Sequence, residues 1–241
     1  MKPLRSPLAI IQGGLEVIEQ EINRNPDLQP MPVLAPLNRG TQRMLCLVND
    51  MLEIHRLEEG ELVLQTSRVP VRSFLEEVAS QYTSVVEEVN LRLIIDAPSD
   101  LPALLVDVEH TGRVLHNLLD NAMQYTPEGG EIVITARRQE EFIEIQVQDT
   151  GSGISAEHLP YIFERFYRAD QSRSRATGGA GLGLTIVKQL VEAQGGQISA
   201  CSQAGQGTTI SFSLPVAQEN AAIAVAKTGN QKQPIDQQSI P

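Results

Sequence analysis

Residues 113–130 read RVLHNLLDNAMQYTPEGG. Asn117 and Asn121 stand four apart, hence on one face of a helix, and Tyr125 follows a further turn along. Amide oxygens can ligate a hard cation. Mg²⁺ takes oxygen ligands and keeps several waters, so a site with few protein ligands completed by phosphates suits a nucleotide pocket. The same spacing also describes a solvated or capping pair, so the meaning of the two asparagines depends on what the rest of the chain sets beside them.

Downstream, DTGSG (149–153) follows directly on the predicted strand FIEIQVQD, which places Asp149 at the strand's end. Gly151 and Gly153 then let the backbone turn sharply beside a ligand. A carboxylate there accepts a hydrogen bond from an exocyclic amine, which selects adenine over guanine with its carbonyl at the equivalent ring position. An ordinary Asp-Gly turn is the plain alternative. A third element, GGAGLGLTIV (178–187), sets glycines before a helix whose apolar face is Leu182, Ile186 and Leu190. Free N–H groups at that helix start, with the positive end of the dipole, suit phosphate oxygens. No Gly-Lys-Ser/Thr follows, so it is not a P-loop, and its glycine spacing is not that of a dinucleotide fingerprint. Between the glycine motifs, RFYRADQSRSRATGG (165–179) carries Arg165, Arg168, Arg173 and Arg175 without apolar period and reads as a basic lid.

The flanking segments supply a frame. EIVITARR and FIEIQVQD alternate as an antiparallel hairpin, GQISACS and GTTISFSLP add two strands, LRLIID is a short one, and SFLEEVASQYTSVVEEVN is helical. Helices near 110–125 and 182–194 would cover one face of the sheet, giving a layered α/β sandwich. Upstream, Leu4, Leu8, Ile11, Leu15, Ile18 and Ile22 recur at steps of four and three, the seam of a helix packed lengthwise against others. A proline-rich stretch, NPDLQPMPVLAP, interrupts it. Leu34, Leu37, Thr41, Met44, Val48 and Met51 continue the pattern to EEGEL, where Gly60 is a candidate C-terminal cap. A hairpin of this size has too little core to stand alone and is expected to dimerise into a four-helix bundle, with docking onto the following domain as the alternative. The fold class is thus α+β: an antiparallel helical hairpin over residues 1–66, a two-layer α/β sandwich over 67–216, and a tail over 217–241 read as mostly disordered.

Composition narrows the function. A formal charge of −11 argues against a general nucleic-acid binder. Cys46 and Cys201 lack metal-ligand spacing and sit in apolar runs, so both read as packed, reduced thiols of a cytoplasmic protein. No run of about 18 apolar residues and no signal pattern occurs, so the chain is expected neither to span a membrane nor to be exported. Any membrane link would run through a sensor region absent from this chain.

In order and spacing, NLLDNAMQYTP, DTGSG, YIFERFYR, GAGLGL and GQGTTISFSLP resemble the N, G1, F, G2 and final glycine boxes of the sensor histidine kinases of two-component systems, over roughly residues 4–215. The resemblance implies a Bergerat-type ATP-binding domain, shared with type II topoisomerases, heat-shock chaperones and mismatch-repair ATPases, with ATP and Mg²⁺ as cofactors. By it, Asn121 with Asn117 would hold Mg²⁺, Asp149 would recognise adenine beside the Gly151–Gly153 turn, and Tyr125 would stack on the ring. Gly179, Gly181, Leu182 and Gly183 of the second glycine box and Arg168 of the lid would contact phosphates. Expected partners are a second copy of the chain and a response regulator whose aspartate takes the phosphate, with no nucleic acid. Asn117 stands where the non-kinase relatives carry a catalytic Glu, which favours the kinase branch. Gln124 replaces a basic residue that often reaches the phosphates, which should weaken nucleotide binding modestly.

One departure is larger. The family's hairpin opens His-Glu-Leu-Arg-Ser/Thr-Pro-Leu, whereas this chain reads Lys2-Pro3-Leu4-Arg5-Ser6-Pro7-Leu8. Lys2 occupies the phosphoacceptor position, and Ser6 falls in the phosphatase motif. A lysine ammonium with an ordinary pKa near 10.4 is a poor acceptor. Three readings stay open: the chain begins inside the motif with Met1-Lys2-Pro3 in place of native residues, it is a degenerate kinase acting as an ATP-gated interaction module or phosphatase, or another histidine accepts. His55 continues the second helix's seam, while His110, His116 and His158 read as solvated or structural.

Overall fold

The computed structural model describes residues 34–169 and 181–218, together with residues 11, 13–18, 20 and 24. Lys2, Ser6, Gly179 and residues 219–241 lie outside the described residues, as does most of the first helix expected from the seam; residues 13–18 are helical.

Helix α1, Leu34–Glu58, ends where the sequence places a cap. Gly60 adopts φ 66°, its N–H donates to the Leu57 carbonyl, and the Glu61 N–H reaches back to Arg56 at 2.9 Å, the paired bonds of a Schellman motif. Strand β1, Thr66–Val69, pairs antiparallel with β3, Leu104–Asp107, in a small sheet. Between them lie α2, Val71–Ser80, α3, Thr83–Glu88, and β2, Arg92–Asp96. Helix α4, Val108–Tyr125, follows β3 directly. The long strands β4, Glu131–Gln139, and β5, Phe142–Asp149, form the expected hairpin. Helix α5, Gly183–Ala193, and strands β6, Ile198–Ser202, and β7, Thr208–Pro215, complete the element order.

The main sheet runs β2-β4-β5-β7-β6, with β2 parallel to β4 and every other pair antiparallel. Its inward rows, Ile132, Ile134, Ile143, Ile145, Val147, Ile210 and Phe212, pack against Leu115, Leu119 and Ala122 of α4 and Ile186, Val187 and Leu190 of α5. Alternating side chains face the other way: Thr135, Gln146, Ser211 and Thr209 are half-exposed there. This is the mixed α/β sandwich the alternation predicted. No helix among the described residues is long and apolar enough to cross a membrane.

Four expectations need correction. Cys201 is exposed, not packed, because the period of two along β6 turns it to the open side of the sheet, opposite Ala200 and Ser202. The stretch read as one helix is two, broken at Gln81–Tyr82, where Tyr82 swings to donate a 2.9 Å hydrogen bond to Asp120. Strands β1 and β3 were not expected, since four residues each are too few to show a period. Finally, the seam is divided. Leu15 and Thr41 are buried, whereas Ile11, Ile18, Met44 and Met51 are 45–51% exposed within one chain. Helix α1 instead packs a neighbouring stripe, Leu47, Ile54 and Leu57, against the sandwich.

Candidate nucleotide site

Helix α4 is fixed at both ends. Asp107 is its N-cap: Oδ1 accepts from the His110 N–H at 3.1 Å and Oδ2 from the Gln65 N–H at 2.7 Å. Gln194 at the end of α5 accepts from the Asp107 N–H at 2.9 Å and from the Thr111 hydroxyl at 3.1 Å, tying the two helices. Thr126 ends the helix with ψ 124°, as expected for a residue before proline.

On that helix the Asn117 amide donates to the Arg113 carbonyl at 2.9 Å, which turns its oxygen outward. A Cβ added at Gly183 would lie 2.9 Å from Asn117 Oδ1, so this oxygen abuts the first residue of α5. Two motifs separated by more than sixty residues thereby meet. No side chain caps the N-terminus of α5, leaving its first amides to other acceptors. Leu182 is 1% exposed, so its side chain serves the core and only its backbone can face a ligand.

Asp149 closes the other end. It is 8% exposed, and its Oδ1 accepts from Gly151 N–H at 2.8 Å and from Thr208 N–H at 3.3 Å. Burial pushes its carboxyl up, and those two bonds partly counter the shift. The Ser152 N–H donates to the Tyr125 carbonyl at 3.2 Å, docking the glycine turn on the end of α4 beside the half-exposed Tyr125 ring. Gly153 at φ 65° and Gly207 at φ 86° sit where a side chain would collide with the carbonyls of Gln203 and Asp149. Arg168 lies two residues beyond Phe166, whose N–H donates to the Gly181 carbonyl at 2.9 Å, while Arg173 and Arg175 of the expected lid lie outside the described residues.

The structure therefore brings Asn117 to Gly183 midway along α4 and Asp149 and Gly151 to Tyr125 at its C-terminal end, with Asn121 between them on the same helix. Sequence reasoning missed Thr208, Gly207 and Ser202. Ser202 donates to the Gly207 carbonyl at 2.7 Å and accepts from the Ile154 N–H at 2.8 Å, clamping the two turns around Asp149. The final glycine box marked the place, but cross-strand register gives the roles. Of the histidines, His110 Nδ1 lies 2.9 Å from Asp107, His116 Nδ1 3.0 Å from the Tyr82 hydroxyl, and His158 Nδ1 2.8 Å from the Tyr167 hydroxyl, while His55 is exposed. Among the described residues no cluster of three His, Cys, Asp or Glu could hold a metal by itself. The outward Asn117 oxygen fits a hard cation whose other ligands come from phosphate and water.

Comparison with known proteins finds relatives of the chain as a whole. Residues 106–218 match the family model described as histidine kinase-, DNA gyrase B- and HSP90-like ATPase. The chain is 34% identical over 218 residues to the sensor histidine kinase WalK of Bacillus subtilis, covering 90% of this chain and 35% of that protein. It is 34% identical over 212 residues to the sensor protein SrrB of Staphylococcus aureus, covering 88% and 36%. The chain thus spans about a third of the length of the curated relatives it matches. Among solved structures, full-length ShkA in complex with AMPPNP superposes with a TM-score of 0.75 at 28% identity, over 89% of this chain and 44% of that one. The Acinetobacter baumannii histidine kinase AdeS shares the fold with a TM-score of 0.65 at 23% identity, over 89% and 98%.

Proposed function

We propose that the chain is the cytoplasmic core of a sensor histidine kinase, whose ATPase domain is the stretch 106–218 that matches the histidine kinase-, DNA gyrase B- and HSP90-like ATPase model. It binds Mg-ATP for transfer of the γ-phosphoryl group to a histidine and onward to a response-regulator aspartate. The observation that carries the reading is the meeting of Asn117 Oδ1 with Gly183 midway along α4, together with the pinned Asp149 carboxylate on the turn docked at that helix's C-terminal end. The proposed division of the chain is a dimerising hairpin over residues 1–66 and the ATP-binding domain over 67–216.

Each residue has a role that follows from its position. Asp149 accepts the exocyclic amine of adenine through the carboxylate oxygen not held by the backbone. Tyr125, half-exposed at the rim, stacks on the base. The free amides of α5 and its dipole take phosphate oxygens, and Arg168 of the expected lid adds charge. Asn121 and Asn117 would hold Mg²⁺, which would supply positive charge to offset that of the phosphates. Phosphoryl transfer then depends on positioning an acceptor in line.

A second reading rests on Lys2 and Pro3 at the acceptor pair: an ATP-gated interaction module that binds a partner through the hairpin without labelling itself. One experiment separates the two. Lys2→His with Pro3→Glu, extended by a few helical residues upstream, should take acid-labile, base-stable label from γ-labelled ATP. Asn121→Ala in that background should abolish it, and the parent chain should show none. Label on the parent that vanishes with His55→Gln would identify His55 as acceptor. A restored chain that binds Mg-ATP and dimerises yet never labels would leave the interaction module as the better account.

A further inference from the structure

Asp149, Thr208 and Ser202 form one rung across three neighbouring strands, with Thr208 paired to Asp149 on one side and Ser202 on the other. The next two rungs inward are apolar, Val147–Ile210–Ala200 and then Ile145–Phe212–Ile198. Side chains directly opposite in a sheet share a face, so the polar rung ends the helix-facing surface at the mouth of the site, where Asp149 is buried.

The hydrogen-bond directions along this rung are determined. A hydroxyl has one proton and two lone pairs. The Ser202 proton goes to the Gly207 carbonyl at 2.7 Å, since a carbonyl can only accept. One lone pair takes the Ile154 N–H at 2.8 Å. The other faces Thr208 Oγ1 at 3.0 Å, so Thr208 must be the donor of that bond. Its oxygen then has only lone pairs left to present. Asp149 also offers an acceptor, because both backbone donors fall on Oδ1. The rung as a whole shows a ligand acceptors and no donor.

We propose that Ser202 is a positioning residue for purine selection: by holding the Thr208 proton on itself, it keeps the Asp149–Thr208 rung all-acceptor. At C6 an amino purine supplies two N–H donors to such a rung, whereas an oxo purine sets a carbonyl against its lone pairs and keeps only the neighbouring N1–H as a donor, so polar groups at C6 are left unpaired. The proposal rests on the reading that Asp149 receives the purine amine.

The test is calorimetric affinity of the full chain for ATP and for ITP, which carries the 6-oxo group. The parent should prefer ATP. Ser202→Ala frees the Thr208 proton to serve a carbonyl, so the preference should shrink roughly five- to tenfold, the scale of one hydrogen bond. Ser202→Thr should restore it. In a Thr208→Val background, Ser202→Ala should leave the ratio unchanged, because the effect runs through Thr208. Should Ser202→Ala lose the parental circular dichroism, Ser202→Cys keeps the volume and carries the same expectation. Equal weakening of ATP and ITP by Ser202→Ala would show mere scaffolding and overturn the proposal alone. A parent that binds ATP and ITP equally would overturn the reading of Asp149 and the proposal with it.

Discussion

At the scale of single residues, two buried carboxylates carry opposite signs. Burial raises the Asp149 carboxyl from its ordinary 3.8, and the Gly151 and Thr208 amides only partly compensate. For an acid, a raised value means that ionisation opposes folding; the cost is absent in acid and fully present above the folded-state value. Asp149→Asn keeps an acceptor for both amides and removes the charge. Its thermal unfolding at neutral pH should match or exceed the parent's, the difference closing as pH falls into the carboxylate range. Its ATP affinity should fall by about 1.5–3 kcal/mol in a calorimetric titration. A variant that is less stable at neutral pH, or binds ATP as tightly, would contradict this account. Asp107 behaves the other way. Burial pushes it up, but hydrogen bonds from the His110 and Gln65 amides, with the His110 ring close by, outweigh that and hold it below its ordinary 3.8. Its contribution is therefore present above that value and lost as pH falls through the lower folded-state one. Asp107→Ala removes the cap of α4 and leaves the Gln65 N–H unpaired, so urea unfolding at neutral pH should show a loss of about 1–2 kcal/mol. That loss should shrink in strong acid. The residue types of the site were legible because a cation, an amine and a sharp turn each require particular chemistry: Asn, Asp and Gly. Ser202 and Thr208 were not, since serine and threonine are ordinary in strands and only register sets them beside Asp149.

At the scale of elements, α1 is tied by ion pairs to α4 and to the segment after β5. Arg113, one turn before Asn117, pairs with Asp50 at 2.9 Å and with Glu53, while Arg165 pairs with Glu58. Leu47, Ile54 and Leu57 pack beside these pairs. Burial raises the Asp50 carboxyl, and the Arg113 guanidinium works against that rise. Arg113→Ala leaves two half-buried carboxylates side by side. The expected loss is about 1 kcal/mol or less, because the pairs are partly exposed, and added salt should reduce it further. Thermal unfolding across ionic strengths reads both; a salt-independent loss would assign the effect to lost side-chain packing. This interface also shows why the helix was legible and its facing was not. A step of four and three reports an apolar arc but not which part of it meets which neighbour. Met44 and Met51 lie on the arc yet are exposed, while Leu47 and Ile54, only slightly around the helix, meet the sandwich. Strands β4, β5 and β7 were legible from strict alternation, and β1 and β3 were hidden by their length.

At the scale of the molecule, the question is what covers the face left open on the helices. Ile11, Ile18, Met44 and Met51 are each 45–51% exposed, whereas Leu15 and Thr41 are already buried within one chain. Leu15→Glu would thus disturb the single chain and say little about association. Met51→Glu is the cleaner probe, because the charge stays in water in a monomer and is trapped without a partner in a four-helix bundle. Two chains, each with a formal charge of −11, repel as they approach, so dimerisation must draw on apolar contact and should tighten as salt screens the repulsion. Sedimentation of the parent at tens of micromolar, about the range where an obligate interface holds, should show dimers that strengthen with salt. Met51→Glu should sediment as a monomer with parental thermal unfolding and parental ATP affinity, since Met51 is exposed and lies outside the Leu47, Ile54 and Leu57 stripe that α1 packs against the sandwich. A parent that is monomeric at that concentration would remove the bundle. A dimer that dissociates with salt would move the interface from the methionine stripe to the charged flank of α1, where Asp50, Glu53 and Glu58 already hold Arg113 and Arg165.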